Sequence, residues 1–223
     1  MGVLSHMFIM KRTASVLLAL ALLSTAGMVC LNNASATATE PEWEYTGDLS
    51  YTFYLAASVQ DDDHNLYIIG GRLNTGMDAY DRMTVLQLTT MTEITLANMP
   101  IGVAGACAAI GDDGLIYVFG GRNLTSDLGF VAPVQIYDPA TDSWTTGSNM
   151  TDPITIGNAV AMPNGLIYVI GGMNNSAMSS VTDEVQIYDP STDTWTMGEP
   201  MPDKLYAGMA SALGSNTIIY AGG

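Results

Sequence analysis

Leu115-Ile116-Tyr117-Val118-Phe119-Gly120-Gly121 is an apolar, aromatic-bearing run closed by a glycine pair. The chain returns to this pattern three more times: LYIIGG at 66–71, LIYVIGG at 166–172 and TIIYAGG at 217–223. Successive glycine pairs stand 50, 51 and 51 residues apart. A short apolar run bounded by glycine reads as a buried strand. A period near 50 residues means that each interval is one supersecondary unit, stacked on its neighbours to bury a shared core.

Working outward, the two clearest copies run Val103–Met150 and Ile156–Met201. Each opens on small apolar residues, VAGACAAI or IGNAVAMP, and turns at Asp112-Asp113-Gly114 or Pro163-Asn164-Gly165. Asp-Gly and Asn-Gly between apolar runs predict type I′ hairpins, which need positive φ at both central residues. The glycine-closed strand follows, then a polar loop, then VQIYDP in both copies, then DSWTTGSNM or DTWTMGEPM. The pattern predicts four short antiparallel strands of about 5–7 residues per unit. Tyr137, Trp144, Tyr188 and Trp195 offer large faces for packing one unit on the next. Asp138-Pro139 and Asp189-Pro190 start the turn into the last strand, since Asp bonds its own backbone and Pro presets φ.

Gly-Gly after an apolar strand, then Tyr-Asp-Pro-x-Thr-Asp-x-Trp and a terminal Met, resembles the Kelch repeat. The likeness runs from about Trp43 to Gly223 and is strongest in the two copies above. It loosens in the copy before them, where Leu86-Gln87-Leu88 replaces Tyr-Asp-Pro and Glu93 replaces Trp. The resemblance implies an all-β, Kelch-type β-propeller of four-stranded antiparallel blades, with inner strands lining a channel and loops forming binding faces. About three and a half blades are expected, a fragment of a six- or seven-bladed ring. Trp43 precedes Gly70 by the 27 residues that separate Trp144 from Gly171, so 42–46 reads as a lone fourth strand of the kind that closes such rings.

Residues 1–36 read as an export leader: Lys11-Arg12, the apolar run Val16–Leu23, and small residues at Ala34-Ser35-Ala36 for cleavage. The competing reading is an uncleaved membrane anchor over the uncharged stretch Thr13–Leu31. The propeller then occupies 37–223, in a secreted, periplasmic or cell-surface setting. The whole chain carries a formal charge of −16, and loss of the leader leaves four basic residues against 22 acidic ones. That surface repels nucleic acid and anionic lipid, which excludes both as partners; membrane contact is left to an uncleaved leader. Cys107 is the single cysteine beyond the leader and lies in an apolar run, as a buried structural thiol does.

The resemblance implies a protein- or glycan-binding scaffold first. It also admits a carbohydrate-active enzyme, a galactose-oxidase-like copper protein or a sialic-acid epimerase-like propeller, with its catalytic residues in further blades. An oxidase needs two His, two Tyr and a Cys; beyond the leader there is one histidine, His64, in a turn. No catalytic residues, cofactor or metal site are expected. Asp61-Asp62-Asp63 reads as a solvated hairpin tip, and Asp78, Asp81, Asp127, Asp183 and Glu184 as acidic loop positions. Arg72 and Arg122 each follow a glycine pair, so a propeller brings them to one face. There they meet either a neighbouring aspartate or the carboxylate of an acidic peptide or sugar. Three N-x-[ST] sequons mark Asn123, Asn149 and Asn174 as glycosylation candidates.

Overall fold

The computed structural model describes residues 6–11, 42–50, 53–73, 79–123, 129–174 and 180–223, which contain strands and turns but no α-helix. The chain divides into two units, Met1–Ser50 and Tyr51–Gly223. In the first, β1 (His6–Lys11) pairs antiparallel with β2 (Glu42–Asp48), with a bulge between Met7 and Phe8. The strand expected at 42–46 is present. Its partner among the described residues is an apolar run within the expected leader, not a blade of the repeat.

The second unit is a row of sheets. The first blade is β3 (Ala57–Gln60), β4 (Asn65–Ile69), β5 (Met83–Gln87) and β6 (Thr92–Thr95). The second is β7 (Cys107–Ile110), β8 (Ile116–Phe119), β11 (Pro133–Asp138) and β12 (Ser143–Asn149), with a small ladder of β9 (Arg122–Asn123) and β10 (Gly129–Phe130) between. The third is β13 (Asn158–Ala161), β14 (Ile167–Ile170), β15 (Val185–Asp189) and β16 (Thr194–Met197); β17 (Met209–Leu213) and β18 (Thr217–Ala221) follow as a pair. All neighbours are antiparallel. The first blade assembles fully despite lacking the Tyr-Asp-Pro and Trp of its sisters, with Leu86 paired to Glu93 where Tyr137 pairs to Trp144.

The hairpins correct one expectation. Gly114 and Gly165 are the only positive-φ residues of their turns, so these are not type I′. Gly111 donates to Leu115 O and Gly114 to Gly111 O, closing a three-residue loop whose last member is left-handed. The conformation is a turn followed by a bulge residue that favours glycine. In the first blade His64 holds that place, at φ 65°. Histidine is among the residues that tolerate this region, so its role here is conformational.

The glycine pair is a joint between blades. A Cβ on Gly70, Gly120 or Gly171 would strike the carbonyl oxygen of Val103, Ile154 or Leu205 in the next linker. The second glycine of each pair donates its N–H to that same oxygen, at 2.8, 2.8 and 2.9 Å. Close approach and positive φ together demand glycine. A second chain of bonds runs from blade to blade: Gly105 N–H to Leu55 O, Ile156 N–H to Gly105 O, Ala207 N–H to Ile156 O. All four of these residues are left-handed.

Between blades lie the cores. Tyr67, Ile69, Met83 and Val85 of the first blade meet Ile116, Val118, Tyr137 and Trp144 of the second. Tyr117, Phe119 and Val134 of the second meet Ile167, Val169, Tyr188 and Trp195 of the third. The aromatic plugs of the second and third blades therefore each face the blade before. Tyr137 and Tyr188 are fully buried at their rings, and their hydroxyls donate to Asp142 and Asp193 at 2.8 and 2.7 Å. Burial, then the aspartate, pushes both phenols well above the usual tyrosine range. The same aspartates cross the interface, Asp142 accepting from Ala97 N–H and Asp193 from Ser148 N–H. Gln135 and Gln186 add buried two-way bonds to the backbone of Ile101 and Asp152.

Candidate functional site

The residue after each glycine pair is locked by a reciprocal backbone pair. Arg72 exchanges both bonds with Tyr54, Arg122 with Ala104, and Met173 with Thr155. A second bridge ties each to the far side of its loop, at Ala79, Phe130 and Val181. One geometry at three repeat positions puts these side chains at the same end of successive blades. The first two are cationic and half-buried; the third is a buried methionine. The cationic sector belongs to the first and second blades.

Each guanidinium rests on a ring, Arg72 at 5.5 Å from the Tyr54 centroid and Arg122 at 5.2 Å from Phe130. These contacts hold the planar head in place at little cost to its charge. The Nε atom of each is buried and has no hydrogen-bond partner among the described residues. No described carboxylate pairs with either arginine; Asp78 and Asp127, in the loops that follow them, lie outside the described residues. An arginine edge with Nε–H unsatisfied is the edge that takes a carboxylate side-on, through two parallel hydrogen bonds.

Other flagged residues have structural roles. The Asp61 carboxylate accepts from Asn65 N–H, Asn65 Nδ2 and Tyr67 Oη, which caps the first hairpin; Asp62, Asp63 and His64 are exposed. Cys107 is buried with its Sγ 3.8 Å from Phe119 O, and burial pushes the thiol up to about 12, so it is inert as a nucleophile near neutral pH. It lies among small residues, Ala57, Ser58, Gly157, Asn158 and Ala210, that line a space of about 240 Å³ between the inner strands. Asp81 accepts from Asn98 Nδ2. Glu184 is raised above the usual carboxylate range by burial and then by Asp152 and Asp183. Among the described residues no group of three or more His, Cys, Asp or Glu is placed to hold a metal.

The three sequons differ in access. Asn123 is buried at 9 % exposure and its Nδ2 donates to Gly102 O at 2.9 Å, so the folded blade withholds the atom a sugar would occupy. Asn149 and Asn174 are exposed.

Sequence reasoning found Arg72 and Arg122 by their shared repeat position. It missed Tyr54 and Phe130, which reach them from elsewhere in the chain. It also missed the work of Gln135 and Gln186, whose signal was the repeated Val-Gln-Ile-Tyr.

Comparison with known proteins agrees with this architecture. The model for the KLHDC2/KLHL20/DRC7 Kelch-repeats domain matches residues 24–223. Beta-scruin of Limulus polyphemus is 31% identical over 110 residues, 48% of this chain and 12% of its own length. Kelch repeat and BTB domain-containing protein 1 of Ectromelia virus is 28% identical over 183 residues, 81% of this chain and 30% of its own. The chain thus spans less than a third of the length of these curated relatives. The solved structure of YjhT superposes with a TM-score of 0.69 at 19% identity, over 83% of this chain and 63% of that one. With glycine-jointed, four-stranded blades and a family match across most of its residues, the chain belongs to the Kelch-repeat family of β-propellers.

Proposed function

We propose that this chain is a protein-interaction module whose glycine-pair face, at the first and second blades, takes a carboxylate-bearing segment of a partner. The observation that carries the reading is the pair of ring-seated arginines, each with a buried Nε that has no partner among the described residues. A buried Nε–H without an acceptor costs stability, and a carboxylate that reaches it together with the neighbouring Nη offsets that cost. The chain carries a formal charge of −16, so an anionic partner needs a local cationic patch, which two of its few basic residues supply here. The export pattern of residues 1–36 supports a partner met outside the cytoplasm.

Fluorescence anisotropy with a labelled Glu/Asp-rich peptide tests it. Arg72→Ala and Arg122→Ala should each weaken binding about tenfold, and Arg→Lys should restore little, because an ammonium lacks the two-bond edge. A uronic-acid oligosaccharide in the same assay separates a peptide partner from a glycan. Equal affinity of the wild type and the double alanine variant would sink the reading.

A further inference from the structure

The turn between β13 and β14 carries the one Asn-Gly step in the chain, Asn164-Gly165. Asn164 is exposed, and both ends of its amide are engaged within the loop. Asn164 Oδ1 accepts from Leu166 N–H at 3.1 Å, and Asn164 Nδ2 donates to Tyr168 Oη at 3.3 Å. The first bond closes a ring that spans Gly165, so the amide carbon is folded back toward the Gly165 nitrogen. Gly165 sits at φ 79° with open space where a side chain would be, and no Cβ shields its nitrogen.

These are the parts of an intramolecular acyl transfer. The Gly165 nitrogen, once deprotonated, attacks Asn164 Cγ, the bond from Cγ to Nδ2 breaks, and a five-membered succinimide closes. Leu166 N–H already bonds the oxygen on which negative charge develops. The Tyr168 hydroxyl touches the nitrogen that must take up a proton to leave, so it can relay the proton lost by Gly165 to the departing ammonia. Water then adds to one carbonyl carbon of the ring, and the bond from that carbon to nitrogen breaks. The nitrogen regains a proton, leaving aspartate or isoaspartate. In the resting loop Gly165 N–H donates to Met162 O at 2.9 Å. That bond must open before attack, and it acts as the brake on the reaction.

The second blade holds the product of this reaction at the same repeat position. Asp113-Gly114 stands where Asn164-Gly165 does, with the same two contacts. Leu115 N–H donates to Asp113 Oδ1 at 3.1 Å, and Tyr117 Oη donates to Asp113 Oδ2 at 2.6 Å. A carboxylate at 164 turns Tyr168 from acceptor to donor, and a hydrogen bond to a charged oxygen is the stronger kind. We propose that Asn164-Gly165 is a self-processing site, an asparagine that its own loop converts through a succinimide to the aspartate of the second blade's hairpin. The turn lies at the other end of β14 from the glycine pair, so the added charge leaves Arg72 and Arg122 as they are.

The test incubates the purified full chain at pH 8, maps each asparagine by peptide mass spectrometry, and follows the added charge by anion exchange. Conversion at Asn164 should outrun that at Asn149 and Asn174, exposed but without a following glycine, by about tenfold or more. Tyr168→Phe should slow it by about tenfold. Asn164→Gln should stop it, because the longer side chain closes only a six-membered ring. Asn164→Asp should elute with the converted chain, keep the wild-type melting temperature and bind acidic peptide as the wild type does. Two results overturn the proposal. One is conversion at Asn164 no faster than at Asn149 and Asn174, a comparison made within the wild-type chain and independent of any variant's folding. The other is an unchanged rate in Tyr168→Phe, since the loop would then contribute nothing beyond its sequence.

Discussion

The second and third blades meet through a closed seam; the third blade and β17–β18 meet through an open one. Both use a wall of short aliphatic side chains with a glycine at one repeat position, Gly147 or Gly198. In the closed seam Phe119 lies 5.8 Å from Tyr188 and 5.7 Å from Trp195, both edge-on, and an aspartate bridges the rim. In the open seam Ala210, Ile218 and Tyr220 pack against Val160, Met162 and Ile170, with no tryptophan among them. The contrast separates two jobs. Glycine pairs and linkers set the distance between blades; the aromatic plug excludes water from the space that distance creates.

The sharpest way to break the contrast is to remove a plug. Trp195→Ala should cost about 3–5 kcal/mol in urea denaturation, making the closed seam resemble the open one. Trp144→Ala should cost as much, and there phenylalanine is the finer tool. Trp144 Nε1 donates to Ala97 O at 2.9 Å, whereas Trp195 Nε1 is buried without a partner among the described residues. Trp144→Phe should therefore cost about 1 kcal/mol more than Trp195→Phe.

Next comes the joint. Gly120→Ala places a Cβ against Ile154 O at a φ of 64°, and should cost about 3 kcal/mol or more. Gly222→Ala, also left-handed but with its nearest atom 3.8 Å away, should cost about 1 kcal/mol. Equal costs would show that the joint matters only through its dihedral angle. The smallest effect is in pH. Hydrogen bonds from Ser148 hold Asp193 below the usual carboxylate range. A lowered native pKa adds stability that is present above the unfolded value, about 3.9, and is lost as pH falls through the native one. Asp193→Asn should flatten that acid limb in thermal melts from pH 5 to about 2. Finally, native Cys107 should resist iodoacetamide at pH 8 and react once urea opens the blade, because its thiol is both buried and raised.

The blades were legible because their punctuation is local: glycine pairs, Asp-Gly turns and Tyr-Asp-Pro corners act within a few residues of themselves. The turn type was misread for the same reason. Asp113-Gly114 looks like a two-residue loop until Gly111 is seen to pair with Leu115. What sequence did not reveal depends on partners a repeat away. Ile156 takes φ 56°, an unfavourable place for a β-branched residue, and nothing near it announces this. Asp142 reads as a turn residue, and its bond to Ala97, 45 residues away, exists only once two blades stand side by side. At the candidate site the cations were visible and their seats were not. Tyr54 lies 18 residues before Arg72, whereas Phe130 lies eight after Arg122.

The left-handed chain from Leu55 to Ala207 has a mechanical meaning. Its links of 2.8, 2.7 and 3.0 Å run crosswise to the strands and cannot stretch without breaking. They act as tie rods between successive blades, so one blade cannot tilt without pulling on the next. Arg72 and Arg122 are each bonded to the residue beside such a rod. Their separation is thereby set by the frame rather than by the loops that follow them. A ligand spanning both cations meets a gauge of fixed width, and loop sequence can change there without altering it.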